Sequence, residues 1–109
     1  MLINFINLIS SSIPKDTFLK NWSYKGNVRI KEYQFKYIEN NKCVLFEPIT
    51  KKFHYISESD FQFLYKHWSD YCSGKVCRSE LVHEPYNNSA TTYTICVMKY
   101  LYDNKLIQE

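Results

Sequence analysis

The stretch that decides the fold is residues 28–57, VRIKEYQFKYIENNKCVLFEPITKKFHYIS. β-Branched and aromatic residues recur in it at the two-residue period of half-buried strands, which predicts strands over residues 28–38, 42–47 and 52–57. Asn40 and Asn41 predict a tight hairpin turn, because asparagine tolerates positive φ better than most residues. Residues 48–51 (Pro-Ile-Thr-Lys) predict the second turn. The stretch therefore predicts a three-stranded antiparallel β-meander.

This meander is predicted to have an aromatic face. The parity of its apolar positions changes near Lys31 and Glu32, which predicts a β-bulge there. Tyr33, Phe35 and Tyr37 then share one face, and the simplest interpretation is that this face covers a hydrophobic core. Two alternatives stay open: exposed rings beside lysines could stack the bases of single-stranded nucleic acid, or rings between sheet and helices could line a small-ligand pocket. The lysines meant are Lys31, Lys36, Lys51 and Lys52.

A helix is predicted directly after the meander. Ser57 and Asp60 have the spacing of a capping box, in which each side chain accepts a hydrogen bond from the other residue's backbone N–H. The apolar residues that follow are spaced like one face of a helix, and Gly74 predicts its end. These residues are Phe61, Leu64, Tyr65, Trp68 and Cys72.

The segment before the meander is predicted to be a helical arm. Apolar residues at helical spacing predict an amphipathic helix over residues 2–13. Pro14 ends it, and Pro14 with Asp16 predicts a second short helix running through Trp22. Gly26 and Asn27 then break the helical pattern. We expect the arm to pack onto the sheet or onto a second subunit.

The last third predicts a short helix and a long one. The short helix lies in the stretch VCRSELV at residues 76–82. The long helix is capped by Asn88 or Ser89 and ends at Asp103 and Asn104. Its predicted apolar face consists of Tyr93, Val97, Tyr100 and Leu101.

Composition excludes several classes of protein. The 109 residues carry a formal net charge of +3, which is only mildly basic, and 45% are hydrophobic, which excludes disorder for most of the chain. No apolar run approaches the roughly 18 residues of a membrane span. Lys, Ile, Tyr, Asn and Phe dominate while Ala, Gly, Pro and Arg are rare. This bias indicates an AT-rich coding sequence, from a low-GC bacterium or a mobile element.

The sequence points to no catalytic or metal chemistry. The start has no basic region followed by a cleavage site, so we expect a cytoplasmic location and reduced cysteines. The spacing of Cys72 and Cys77 fits no common zinc pattern. The two glycines form no phosphate loop, and the carboxylates and histidines form no convergent set. We therefore expect neither an enzyme nor a cofactor nor a metal.

Three short motifs in the last third resemble those of a known family. They are GKVCRSEL at residues 74–81, SATT at residues 89–92 and LYDNKLI at residues 101–107. Together they resemble the helix-turn-helix core of MarR-type winged-helix regulators, without the wing. The matching positions are Gly74, Val76, Arg78, Glu80, Leu81, Ser89, Thr91, Leu101, Leu106 and Ile107. The resemblance implies that the helix beginning at Ser89 enters the major groove of double-stranded DNA.

The resemblance also implies a set of DNA-contacting residues. They are Lys75, Arg78, Asn88, Ser89, Thr91, Thr92 and Lys99. Most of these are equally ordinary caps and turn formers, and the planar guanidinium of Arg78 could hold a backbone carbonyl instead.

These patterns predict an α+β fold with one domain over residues 1–109. It consists of a helical arm (1–25), the three-stranded antiparallel meander (26–57) and a helical, helix-turn-helix-like subdomain (58–109). The leading functional hypothesis is a non-enzymatic DNA-binding protein that dimerises through aromatic surface. The alternatives are a protein–protein interaction or adaptor protein and an aromatic-lined small-ligand binder. No membrane partner is predicted.

Overall fold

A computed structural model of the chain describes residues 3–23 and 32–108, which form four helices and four strands. In chain order they are α1 (Phe5–Ser12), β1 (Phe18–Lys20), β2 (Glu32–Glu39), β3 (Lys42–Glu47), β4 (Lys52–Ser57), α2 (Glu58–Cys72), α3 (Arg78–Val82) and α4 (Thr91–Asp103). The fold class is α+β, as predicted. None of the described helices is long and apolar enough to cross a membrane.

The strands form one antiparallel sheet in the order β1-β2-β3-β4. Asn40 and Asn41 have φ angles of 51° and 59° and join Glu39 to Lys42, which confirms the predicted two-residue turn. The predicted turn over residues 48–51 is also confirmed, because the backbone N–H of Lys51 donates to the carbonyl oxygen of Glu47 at 2.8 Å.

Strand β1 was not predicted. It lies where the sequence predicted a short helix from Pro14 through Trp22. That helix and the count of three strands are therefore wrong. Asp16 has a φ of 68°, which ends any helix, and its N–H donates to the carbonyl of Phe35 at 2.7 Å. The N–H of Phe35 donates in turn to the carbonyl of Thr17 at 2.8 Å. Hydrogen bonding to the edge of β2 therefore determines the conformation of this segment and overrides its local preference for a helix.

The register of β2 shifts between Phe35 and Tyr37, beyond the predicted bulge near Lys31 and Glu32. Consequently Tyr33 and Phe35 lie in the core, whereas Tyr37 lies on the other face and is 41% exposed. The prediction that all three rings share one face is wrong, because the extra residue of a bulge inverts the side-chain alternation. The predicted strand start at residues 28–31 and the break at residues 26–27 lie outside the described residues.

Helix α2 begins and ends as predicted. The N–H of Ser57 donates to Asp60 Oδ2 at 3.0 Å, and the N–H of Asp60 donates to Ser57 Oγ at 3.3 Å, which confirms the capping box. Gly74 adopts a φ of 81°, and the N–H of Lys75 donates to the carbonyl of Asp70 at 2.8 Å. This bond satisfies a carbonyl of the last turn. Of the predicted apolar face, Phe61, Leu64 and Trp68 are fully buried, and Tyr65 and Cys72 are partly buried.

Helix α1 packs against the rest of the same chain. The Glu58 carboxylate accepts hydrogen bonds from the backbone N–H groups of Phe5 at 3.0 Å and Ile6 at 2.8 Å. A carboxylate at the N-terminus of a helix also interacts favourably with the positive pole of the helix dipole. Phe5 and Ile9 are fully buried in the core. The start of α2 therefore fixes the start of α1.

Helix α4 is enclosed by the rest of the structure. It begins at Thr91 with Ala90 as its N-cap, so the predicted cap at Asn88 or Ser89 is wrong. Its buried side chains are Thr91, Thr94, Ile95, Cys96, Val97, Met98 and Leu101. Of the predicted face only Val97 and Leu101 are buried, because contact with the sheet, α2 and α3 covers a broader arc than the stripe of a surface helix.

Candidate functional site

A cleft of about 510 Å³ opens where the inner face of the sheet meets α3 and the first turn of α4. The sheet contributes Tyr33, Glu47, Lys52 and His54, and the β3–β4 turn contributes Ile49 and Thr50. The remaining lining residues are Asn21, Arg78, Thr92 and Tyr93. Polar and aromatic groups from distant parts of the chain thus converge on one cavity, as they do in most small-molecule sites.

The floor of the cleft pairs an acid with an imidazole. Glu47 and His54 point inward from β3 and β4, and His54 Nε2 lies 3.6 Å from Glu47 Oε1. Glu47 is only 7% exposed, which is unusual for a carboxylate because burial disfavours its charged form. An ion pair forms here when the imidazole is protonated.

Two tyrosine rings hold the imidazole in place. Tyr93 stacks on His54 with ring centroids 3.9 Å apart and planes 14° apart. Tyr33 meets both rings edge-on, with centroids 5.9 Å from His54 and 5.8 Å from Tyr93. Burial raises the pKa of the Tyr33 hydroxyl well above its usual range, so that side chain stays neutral.

Arg78 forms the opposite wall. It is the first residue of α3, a helix whose start is fixed by the Glu80 carboxylate accepting from the backbone N–H of Cys77 at 3.2 Å. Arg78 Nη2 donates to Asn21 Oδ1 at 3.3 Å and to the carbonyl oxygen of Trp22 at 3.0 Å. Both acceptors are uncharged. No carboxylate of the described residues forms an ion pair with this guanidinium.

Two nitrogens of these side chains are shielded from water and make no hydrogen bond. They are His54 Nε2 and Arg78 Nε, and together with Trp68 Nε1 they are the side-chain atoms of this kind in the described part of the chain. An unsatisfied buried donor costs roughly 1–3 kcal/mol, so native structures contain few of them. Arg78 Nε always carries a hydrogen and is therefore an unsatisfied donor, whereas His54 Nε2 faces the Glu47 carboxylate at 3.6 Å.

The structure brings together only Arg78 and Thr92 of the seven residues predicted to contact DNA. Both line the cleft, and both line an adjoining depression of about 370 Å³. Lys99 lies elsewhere, beside β1, with its ammonium 4.8 Å from the ring centroid of Trp22 and 2.8 Å from Asp103 Oδ1.

The other four predicted residues surround the start of α4 or the end of α2. Thr91 is 1% exposed, and its hydroxyl donates to Asn88 Oδ1 at 3.2 Å. Asn88 Nδ2 donates to Asp60 Oδ1 at 3.3 Å. Ser89 and Lys75 are exposed. Residues 83–90 connect α3 to α4, which is longer than the roughly 3–4-residue turn of a helix-turn-helix motif.

Sequence reasoning missed Glu47 and His54 as members of one site. Their proximity depends on the β3–β4 register, in which Glu47 pairs with Lys52 and Leu45 with His54. The available signal was their parity with Leu45 and Ile56, which places an ionisable residue at inward positions of two neighbouring strands. No group of three or more His, Cys, Asp and Glu side chains in the described ranges could hold a metal ion.

No family model, curated protein or solved structure matches this chain. The chemistry of the cleft is therefore the basis for a function.

Proposed function

We propose that this chain is a non-enzymatic binding protein that holds a small anionic ligand in the cleft between the sheet, α3 and α4. The observation that carries the proposal is Arg78, a half-buried guanidinium at the cleft wall that has only uncharged partners among the described residues. A partly buried cation is stabilised by a counter-anion, and the forked guanidinium fits a carboxylate or a phosphate in two parallel hydrogen bonds.

The other lining residues support an anion with an apolar body. With Arg78, Lys52 gives the cleft two cations against its one carboxylate, Glu47, and the hydroxyl-bearing Thr50 and Thr92 add hydrogen-bonding groups. Ile49, 74% exposed at the mouth, offers apolar surface that a bound molecule would cover. A volume of about 510 Å³ is within the usual range for small-molecule sites, roughly 300–1,000 Å³.

Duplex DNA binding through α4 stays a prediction from the sequence, and so does an adaptor role. The cleft supports the third hypothesis, the aromatic-lined small-ligand binder. DNA phosphates would need cations on an open surface, whereas Lys99 is already paired with Asp103 and Thr91 is buried.

The experiment that tests the proposal uses probes of similar size and different charge. Phenyl phosphate and benzoate represent the two kinds of anion, benzamide is the neutral probe and benzylamine the cation. Binding is measured by titration calorimetry on the wild type. We expect at least one anion to bind at the cleft and the neutral and cationic probes to bind at least tenfold more weakly, since a charge-assisted contact contributes about 1.5–3 kcal/mol.

A matched pair of variants places the binding. Lys52→Gln removes a charge from the cleft rim, and Lys51→Gln removes the same charge one residue away, from a side chain that does not line the cleft. Lys52→Gln is expected to weaken anion binding several-fold, with Lys51→Gln close to wild type. Equal affinities for all four probes, or equal losses in the two variants, would refute the proposal. A short duplex included as a fifth probe tests the DNA hypothesis in parallel.

A further inference from the structure

The face of the sheet opposite the core, which we call the outer face, carries two rows of mostly apolar side chains. The register places Phe18, Gln34, Phe46 and Phe53 in one row and Tyr37, Val44 and Tyr55 in the next. Phe46 and Phe53 are in ring contact, with centroids 5.1 Å apart. The first row crosses all four strands and the second crosses β2, β3 and β4, whereas antiparallel sheets usually have polar side chains on the solvent side.

Four of these rings are open to solvent. Phe18, Tyr37, Phe53 and Tyr55 are 53%, 41%, 46% and 51% exposed. At about 200 Å² for an aromatic residue, the four residues together expose roughly 400 Å² on one face of the sheet. Contiguous apolar patches of this extent on monomers are often interaction sites, and aromatic residues are enriched in protein interfaces.

Six charged residues beside the outer face are balanced in sign, three cations and three anions, and Lys15 is a further cation near Asp16. Lys36 and Asp16 form an ion pair, whereas Lys20 with Glu32 and Glu39 with Lys42 are opposite charges at facing positions of neighbouring strands. In the first pair Lys36 Nζ lies 2.7 Å from Asp16 Oδ1, and the same ammonium is 6.0 Å from the ring centroid of Phe46. A surface that binds nucleic acid needs an excess of cations, and these six residues carry no net charge.

A neutral apolar surface with paired charges at its rim is complementary to itself. Two identical faces related by a two-fold axis place rings on rings and do not bring an excess of one charge together. We propose that a second copy of this chain covers the outer face, forming a symmetric dimer through the two aromatic rows.

The area predicts how strong this dimer is. Each partner of a standard-size interface buries about 800 Å², so the four rings supply roughly half of one side and the polar rim must supply the rest. We therefore expect a weak, reversible dimer with a dissociation constant on the order of micromolar. Arg78 lies in the wall of a cleft on the other side of the sheet, so the dimer does not depend on the proposed ligand.

Sedimentation equilibrium over a range of protein concentrations tests this proposal. The variant Phe53→Lys/Tyr55→Lys places two like charges in each copy of the outer face, on exposed positions of an edge strand. The control Tyr86→Lys/Leu106→Lys makes the same change at two similarly exposed residues away from the sheet, which are 42% and 39% exposed. Circular dichroism confirms that both variants are folded.

We expect the wild type and the control to dimerise alike and the outer-face variant to associate at least tenfold more weakly. A wild type that stays monomeric at all concentrations, or a dimer unaffected by the outer-face variant, would overturn the proposal. A monomer that binds an oligothymidylate through the same face would assign it to nucleic acid instead. If the outer-face variant does not fold, dilution of the wild type still decides, because NMR shifts of Phe18, Tyr37, Phe53 and Tyr55 must change with concentration.

Discussion

The two faces of the sheet carry similar residues in opposite chemical settings. On the inner face, Tyr33 and His54 are packed under α4, and the ionisable Glu47 is buried beside them. On the outer face, Tyr37 and Tyr55 are exposed to solvent, and Lys36 nearby forms an ion pair with Asp16. The buried Arg78 Nε without a hydrogen-bond partner favours a ligand, whereas exposed rings with balanced charges favour another protein surface. Aromatic content alone therefore does not distinguish a pocket from an interface.

The largest expected effect is a difference in the free energy of unfolding between substitutions on the inner and outer faces of β4. Ile56 and Tyr55 are neighbours in β4, and the first is fully buried while the second is 51% exposed. Ile56→Ala should lower the free energy of unfolding by about 2–5 kcal/mol, because it removes buried methyl groups and leaves a cavity. Tyr55→Ala should cost less than about 1 kcal/mol in the monomer. Urea denaturation of dilute protein measures both, and equal losses would contradict the assignment of the two faces.

A smaller effect on stability comes from Cys43, which is fully buried on the inner face of the sheet. Burial raises the pKa of the Cys43 thiol to about 12, from 9.0 in the unfolded chain. Because the folded pKa is the higher one, the stabilisation from the neutral thiol is complete below pH 9. It is then lost as the pH rises towards 12. At pH 10 the loss should be about 1.4 kcal/mol.

The measurement compares urea denaturation of the wild type and Cys43→Ala at pH 7 and pH 10. Cys43→Ala should be less stable at pH 7, and the gap to the wild type should narrow at pH 10. Cys96 is also buried with a raised pKa, to which Cys43 contributes, so the same comparison is repeated in a Cys96→Ala background. A gap that does not change with pH would mean that water reaches Cys43.

The smallest expected effect is a change in the pKa of Asp16, beside the outer face. The hydrogen bond from Lys36 lowers the pKa of the Asp16 carboxyl below its ordinary value, with added help from the charges of Lys36 and Lys15. A lowered folded pKa means that the pair stabilises the protein above the unfolded pKa and that this contribution disappears as the pH falls through the folded one. NMR titration of Asp16 should show a higher pKa in Lys36→Met. An unchanged titration would show that the ion pair is not formed in solution, and the charge balance of the outer face would then be in doubt.

Local signals in the sequence predicted the parts of the fold that local chemistry decides. The Asn40–Asn41 turn, the Ser57–Asp60 capping box and the glycine stop at residue 74 all depend on backbone preferences of a few residues. Strand β1 could not be predicted in this way, because its three residues become a strand only through pairing with β2. The same holds for the bulge between Phe35 and Tyr37, which decides the face on which Tyr37 lies.

The candidate site was predicted only in fragments. Arg78 and Thr92 were singled out for DNA contact, and an aromatic-lined pocket between sheet and helices was one of the alternatives. Glu47 and His54 belong to the same site because their inward-facing positions are diagonal neighbours on β3 and β4. Such a diagonal is fixed by register and by the length of the β3–β4 turn, which a single sequence does not state.

Arg78 is proposed to bind an anion, and the NMR signal of its side chain tests this proposal most directly. The chain has two arginines, Arg29 and Arg78, so the Arg Nε–H region of a proton–nitrogen spectrum holds two signals, and Arg78→Lys identifies which belongs to the cleft. Adding phenyl phosphate or benzoate should shift the Arg78 signal until it saturates, while benzamide should leave it in place. If the Arg78 signal does not move with either anion, or only the Arg29 signal moves, the proposed function is wrong.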